Sequence, residues 1–342
     1  MLKPWLISAR ISNLPTVWTN VLAAAGLAQA GILLAPLSDG VPLTGAGLWP
    51  GSLTGVVMLL AILALSLMYT GGMFLNDAVD YHWDREHGKD RPVACGLLSR
   101  RYVTVAAALC IGLSVLLVAG TVLYPLQHMP DAELATQTTA YKSIAADGWP
   151  AVLAVVLLAI LVVMYDLLHK RYPLFSAMLM GGCRAGVYIV TGLMLQGLNT
   201  QLWLAALTLL AYITGLTLLA RAEHQQHLLL DRSVMGALLL IFSPLMTALL
   251  YGLEQPLLWL VAVVFLGWVV RTVWHLLSIQ RGEEVRSGGQ VVTVGSCIGA
   301  LLAAIPLIDA LMLASLGMVL PALACLAVFL LIPQLHKWVS GT

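Results

Sequence analysis

Residues 69–84 read Tyr69-Thr70-Gly71-Gly72-Met73-Phe74-Leu75-Asn76-Asp77-Ala78-Val79-Asp80-Tyr81-His82-Trp83-Asp84. An apolar run of spanning length ends here, and four oxygen-bearing side chains follow it directly. If the helix continues, Asn76, Asp80 and Asp84 are spaced i, i+4, i+8 and Asp77 precedes Asp80 by three, so all four share one stripe. An Asp near the membrane core costs on the order of 2.5–3.5 kcal/mol, and neighbouring carboxylates repel one another. A solvated juxtamembrane helix would not need its acids in register. Divalent cations answer both costs, and Mg2+ takes one or two carboxylates per ion together with substrate phosphate oxygens.

The rest of the chain has the composition of a polytopic helical membrane protein. Of 342 residues, 60% are hydrophobic and 10% charged, and the mean hydropathy is +0.93. Soluble chains carry about 25% charged residues. A net charge of +1 leaves no electrostatic footprint for nucleic acid. Stretches nearly free of Asp, Glu, Lys and Arg, each near the roughly 20 residues a spanning helix needs, fall at about 14–35, 52–75, 102–124, 149–168, 174–196, 202–220, 234–252, 256–278, 291–313 and 315–335, with Asp166, Arg184, Arg271 and Asp309 the charged exceptions. They predict nine or ten helices, depending on whether 291–335 crosses once or twice. Their continuous hydrophobicity excludes the alternation of a barrel strand. The whole of 1–342 is expected to form a single integral-membrane domain.

Basic residues set the orientation. Lys3, Arg10, Arg85, Lys89, Arg91, Arg100, Arg101, Lys170, Arg171, Arg221, Arg232, Arg281 and Arg286 fall on one side, against Lys142 on the other. The N-terminus is therefore expected in the cytoplasm and the chain in the cell membrane. Met1 to Asn13 is too polar for a signal peptide. The five cysteines are scattered, with no CxxC pair, and suggest neither a disulfide framework nor a zinc site. Ten Trp residues lie mainly near span ends, as membrane interfaces favour. The segment 125–148 reads as a connector.

Further charge gathers at the same face, in loops at about 76–101, 165–173 and 221–232. Lys89-Asp90-Arg91-Pro92 to Ser99 places Arg91 where it can pair with a phosphate bidentately. Tyr165-Asp166-Leu167-Leu168-His169-Lys170-Arg171 adds two adjacent cations, which taken alone could also be a topology signal. Inside the spans, Asn20 faces either a cavity or a neighbouring helix. Arg184 and Asp309 are ionisable groups at membrane depth, functional candidates by default. Arg184 could serve a substrate phosphate, with Tyr188 one turn away. Asp309 lies far from the cytoplasmic face and is left outside the catalytic set.

The pattern NDxxDxxxD at 76–84, DRPxxxGxxS at 90–99 and Yx4KR at 165–171 resembles the UbiA superfamily of intramembrane prenyltransferases. The resemblance runs over the whole chain in span order. It implies an all-α bundle around a cavity open to the cytoplasm and the bilayer lipids. It also implies Mg2+-dependent transfer of a prenyl group from an isoprenyl diphosphate to a lipophilic, usually aromatic, acceptor. On that resemblance, Asp77, Asp80 and Asp84, with Asn76 assisting, hold Mg2+, while Arg91, Lys170 and Arg171 neutralise phosphate; Tyr165 and Asn20 belong to the substrate site.

One motif departs from the family. Where a second Asp-rich motif is expected, this chain has Arg221-Ala222-Glu223-His224-Gln225-Gln226-His227. Shifting the first motif by 143 residues sets Gly72 on Gly215, Asp80 on Glu223 and Asp84 on His227. Glu223 can still bind Mg2+; His227 is a poor ligand for so hard an ion, but can bond a phosphate oxygen or titrate. Arg221 adds positive charge that could replace part of a second metal. The departure leaves open a non-catalytic lipid- or isoprenoid-binding descendant, or a transporter. The loosely spaced His82, His87, His169, His224 and His227 also raise a membrane metal oxidase.

Overall fold

The computed structural model describes residues 2–33, 53–123, 148–195, 198–221, 229–287 and 290–339. The helices are α1 (Leu2–Ser8), α2 (Leu14–Leu33), α3 (Leu53–Val79), α4 (Tyr81–Glu86), α5 (Arg100–Leu123), α6 (Trp149–Leu168) and α7 (Pro173–Leu195). They continue with α8 (Thr200–Arg221), α9 (Leu229–Tyr251), α10 (Pro256–Gln280), α11 (Val294–Ala303), α12 (Ile305–Ser315) and α13 (Val319–Trp338). The one sheet among the described residues pairs two-residue strands, β1 (Arg286–Ser287) with β2 (Gln290–Val291). The fold is an all-α membrane bundle.

Eight helices among the described residues are long and apolar enough to cross a bilayer. They are joined by α2 and by the apolar part of α9, Met235–Tyr251. The stretch after residue 290 makes two passes, and the first is broken. A Thr293–Ser296 capping box opens α11, satisfying its first amides. The helix then stops at Ala304, because Pro306 has no N–H with which to continue the ladder. His336, near the end of α13, meets Asn13 Oδ1 at 2.7 Å. The last helix thus returns to the side from which α2 departs, which suits an even number of crossings.

Neighbouring helices pack in chain order, α3 on α5, α5 on α6, α6 on α7, α7 on α8 and α8 on α9. Helix α2 passes inside this wall against α3, α7 and α12, and every residue of α12 is buried. The outward faces are apolar: Leu109, Leu113 and Leu116 of α5 and Leu153, Leu157 and Ile160 of α6 are exposed. Such faces suit lipid, because the helices satisfy their own backbone groups. Close crossings fall at glycines. A Cβ on Gly236 would lie 2.8 Å from the Gly215 carbonyl oxygen, and one on Gly72 would lie 2.9 Å from Val162. The second contact draws α3 against α6 just below the acids.

Candidate functional site

Helical bonding runs through the acidic motif despite the boundary at Asp80. The Asp80 amide donates to Asn76 O at 2.9 Å and the Asp84 amide to Asp80 O at 2.8 Å. The expected stripe therefore forms, and Asn76, Asp77, Asp80 and Asp84 are all buried. The following loop turns at Gly88 and Gly96, both at positive φ, where a Cβ would be strained. Arg100 Nε clamps the loop's far end by donating to Ala78 O at 2.8 Å.

Each acid is met by donors from a different segment. Asp77 accepts from Ser8 Oγ at 2.7 Å and pairs with Arg91 at 3.3 Å. Asn76 accepts from Arg10 at 3.2 Å and donates to Asp166 Oδ1 at 3.1 Å. Asp80 holds Lys170 Nζ at 2.5 Å and His169 Nε2 at 3.3 Å. Lys170 also sits 4.6 Å from the centre of the Trp83 ring, a cation–π distance. Burial pushes the Asp80 carboxyl up, but His169 and Lys170 outweigh it and hold the group below its usual range. For Asp84 burial prevails over the Arg91 charge, and its carboxyl is raised. Burial, with Arg10 nearby, lowers the Arg91 guanidinium.

Not every expected residue joins this cluster. Arg171 is exposed and lies 5.5 Å from the Tyr172 ring. Arg221 ends α8, while Glu223 and His227 lie outside the described residues. Arg184 is not at the acids. Its guanidinium lies 5.5 Å from the centre of the Tyr69 ring, and Tyr69 precedes Asn76 by seven residues, about 10 Å along a helix. There Arg184 donates to Asn20 Oδ1 at 3.3 Å. Asn20 Nδ2 donates to both Asp309 oxygens at 2.9 and 3.0 Å, and Tyr188 donates its hydroxyl to Asp309 Oδ1. All four residues are buried.

Between the acids and this deeper cluster lies a cavity with an empty volume of about 590 Å³ counting its open side. Leu65, Met68, Met73, Leu158, Val162 and Met180 give it apolar walls. Tyr165, Asp166 and Arg184 also line it, and Tyr165 stacks on His169 at 5.4 Å. Sequence reasoning missed Ser8, the contact of Arg10 with Asn76, and Asp166. The only mark on Arg10 is structural: among the described residues it alone, apart from glycines, has positive φ, at 44°, a conformation that costs energy and gathers at functional sites.

The donors suit a hard cation in type, since carboxylates and an amide oxygen are what Mg2+ takes. Among the described residues, no three acidic, His or Cys side chains yet converge on one point. The acids are instead held by the cations that surround them.

A buried acidic stripe ringed by cations, beside an apolar cavity in a membrane bundle, can meet a charged group and a hydrocarbon portion of one molecule. The profile of the UbiA prenyltransferase family matches residues 40–288, and the chain belongs to that family. A solved structure described as digeranylgeranylglyceryl phosphate synthase in membranes is similar in fold, with a TM-score of 0.51 and 15% sequence identity over 92% of this chain and 97% of that one. No curated protein sequence matches the chain significantly.

Proposed function

We propose that the protein transfers the prenyl group of an isoprenyl diphosphate to a lipophilic, aromatic acceptor, with Mg2+, at the cytoplasmic face of the cell membrane. The observation that carries this reading is the arrangement of Asp77, Asp80 and Asp84 among Arg10, Arg91, His169 and Lys170, next to an apolar cavity whose lining residue Asp166 is bonded to Asn76. Asp77, Asp80 and Asp84, assisted by Asn76 and by Glu223, would hold Mg2+, which when bound neutralises diphosphate charge.

The chain's own groups do the rest. Arg91 and Lys170 are kept at the acids by ion pairs and stand ready for phosphate oxygens, with Arg10 beside Asn76. Arg221 and His227 of the second motif would add a positive charge and a phosphate-bonding group. As the allylic C–O bond breaks, its electron pair leaves on the diphosphate, and cations placed there stabilise that state more than the bound substrate. A nucleophilic carbon or oxygen of the acceptor then bonds to the allylic carbon and loses its proton. The walls from Leu65 to Met180 keep out water that would otherwise capture the cation.

The test is the release of diphosphate and the appearance of a prenylated product, measured in membranes with labelled isoprenyl diphosphates of several lengths. A lipid carrier of the same fold would bind the isoprenoid and release no diphosphate. The excess of basic residues in these loops supports a cytoplasmic position for the acids, and accessibility labelling of a cysteine introduced at Glu86 checks that orientation.

A further inference from the structure

Two polar groups on the cavity wall are only partly engaged by the protein. Asp166 is 3% exposed and receives Asn76 Nδ2 on Oδ1, while its Oδ2 is buried with no hydrogen-bond partner. Arg184 is 7% exposed and has five N–H donors. Among the described residues its guanidinium makes one hydrogen bond, to Asn20 Oδ1. No ion pair joins Arg184 to Asp166, although both line the cavity. A buried carboxylate oxygen without a donor is costly, and Arg184, held by one hydrogen bond and the Tyr69 ring, keeps donors to spare. A hydrocarbon chain relieves neither group. A diphosphate brought against Asp166 would set like charge on like.

Behind Arg184 the bonding has a direction. Asp309 is fully buried and takes both its contacts to Asn20 from Nδ2. That fixes the amide, so that Oδ1 is the atom turned to Arg184. Tyr188, one helical turn from Arg184 on α7, ties the same carboxylate to the helix that carries the guanidinium. The carboxylate balances the Arg184 charge through Asn20 without occupying the guanidinium itself.

We propose that Asp309 is a positioning residue that, through Asn20, aims Arg184 into the cavity, where Arg184 holds an oxygen of the acceptor and so decides which acceptors bind. This rests on the prenyl-transfer reading for the word acceptor, though the binding itself does not need the reaction. Arg184 lies about two helical turns deeper than the acids, so an acceptor anchored there points its other end toward Asp166 and the acidic motif. A hydroxyl at that end donates to Asp166 Oδ2. The atoms presented to the allylic carbon are then that hydroxyl oxygen or the carbon beside it.

The test compares two probes, 4-hydroxybenzoate and phenol, which differ by one carboxylate. Binding to the purified full chain in lipid nanodiscs is read by tryptophan quenching with no diphosphate present. The wild type is expected to bind 4-hydroxybenzoate about ten- to a hundredfold more tightly than phenol, the range of a hydrogen bond to a charged group. Arg184→Gln and Asp309→Asn should bring that ratio to near one, and Arg184→Lys should restore part of it. A merely structural Asp309 would weaken both probes together and leave the ratio unchanged. Should Asp309→Asn fail to fold, Asn20→Ala, which cuts the link and keeps both charges, should collapse the ratio too. A wild type that does not separate the probes, or a ratio that survives Asp309→Asn or Asn20→Ala, overturns the proposal. Selective binding without diphosphate release would instead refute prenyl transfer and leave this assignment standing.

Discussion

Replacing Asp309 with Ala removes, at full burial, the acceptor of two hydrogen bonds from Asn20 Nδ2 and one from Tyr188, with Thr19 also against it. It also leaves Arg184 as an uncompensated cation between α2, α7 and α12. Breaking a buried charge pair from one side costs about 3–5 kcal/mol. The Asp309→Ala variant should therefore unfold with an equilibrium constant raised by at least about a hundredfold. Asp309→Asn keeps the volume and one acceptor oxygen but sets an NH2 against donors, so its loss should be smaller, about 1–3 kcal/mol. The assay is SDS titration in mixed micelles, following tryptophan fluorescence. Pairing Asp309→Leu with Arg184→Leu should recover much of the loss, since replacing both partners with apolar side chains is often neutral. An Asp309→Ala midpoint within about 0.5 kcal/mol of wild type would refute the reasoning, because the network would then hold nothing together.

Other consequences can be read with the same preparations. Gly236→Leu drives a side chain at the Gly215 carbonyl oxygen and should destabilise by about 1–3 kcal/mol, whereas Gly112→Ala meets open space and should leave the midpoint unchanged or slightly raised. Lys170→Gln removes the cation on Asp80 and should lower kcat/KM for the diphosphate about ten- to a hundredfold, and Arg171→Gln, lying on Tyr172, should cost about tenfold less than Lys170→Gln. Because the Asp80 carboxyl is held below its usual range, its ion pairs contribute fully above pH of about 4 and are lost as pH falls through the lower folded value. The stability gap between wild type and Asp80→Asn should accordingly narrow on acidification below about pH 4, and a gap constant down to pH 2 would contradict the pairing.

What could be read from the chain was whatever is local along it. Runs of Leu, Ala and Val set the helices, and the acids of 76–84 form their stripe because i, i+3 and i+4 spacing is a property of one helix. The two passes after residue 290 were half legible: Pro306 marks the break, but only packing of α12 against α2, α9, α10 and α13 shows that the second half is wholly enclosed. The Asn20–Asp309 contact joins positions 289 residues apart, and no periodicity reports it. Arg184 was marked as a candidate because it is ionisable at membrane depth, but its contact with Asn20 depends on how α7 packs on α2 and is not local to either helix. Asp166 sat in plain view beside Tyr165; its signal was an acid within an apolar span, the same signal that marked Asp309.

The most direct test of the account is diphosphate release by the purified chain with an isoprenyl diphosphate and an aromatic acceptor, run for wild type and Asp80→Asn with Mg2+ and with excess EDTA. The account predicts release together with prenylated product for the wild type with Mg2+, loss of both in EDTA, and a fall of at least about a hundredfold for Asp80→Asn, as expected when a group stabilising transition-state charge is removed. Undiminished turnover by Asp80→Asn, or release that is indifferent to EDTA, would contradict it.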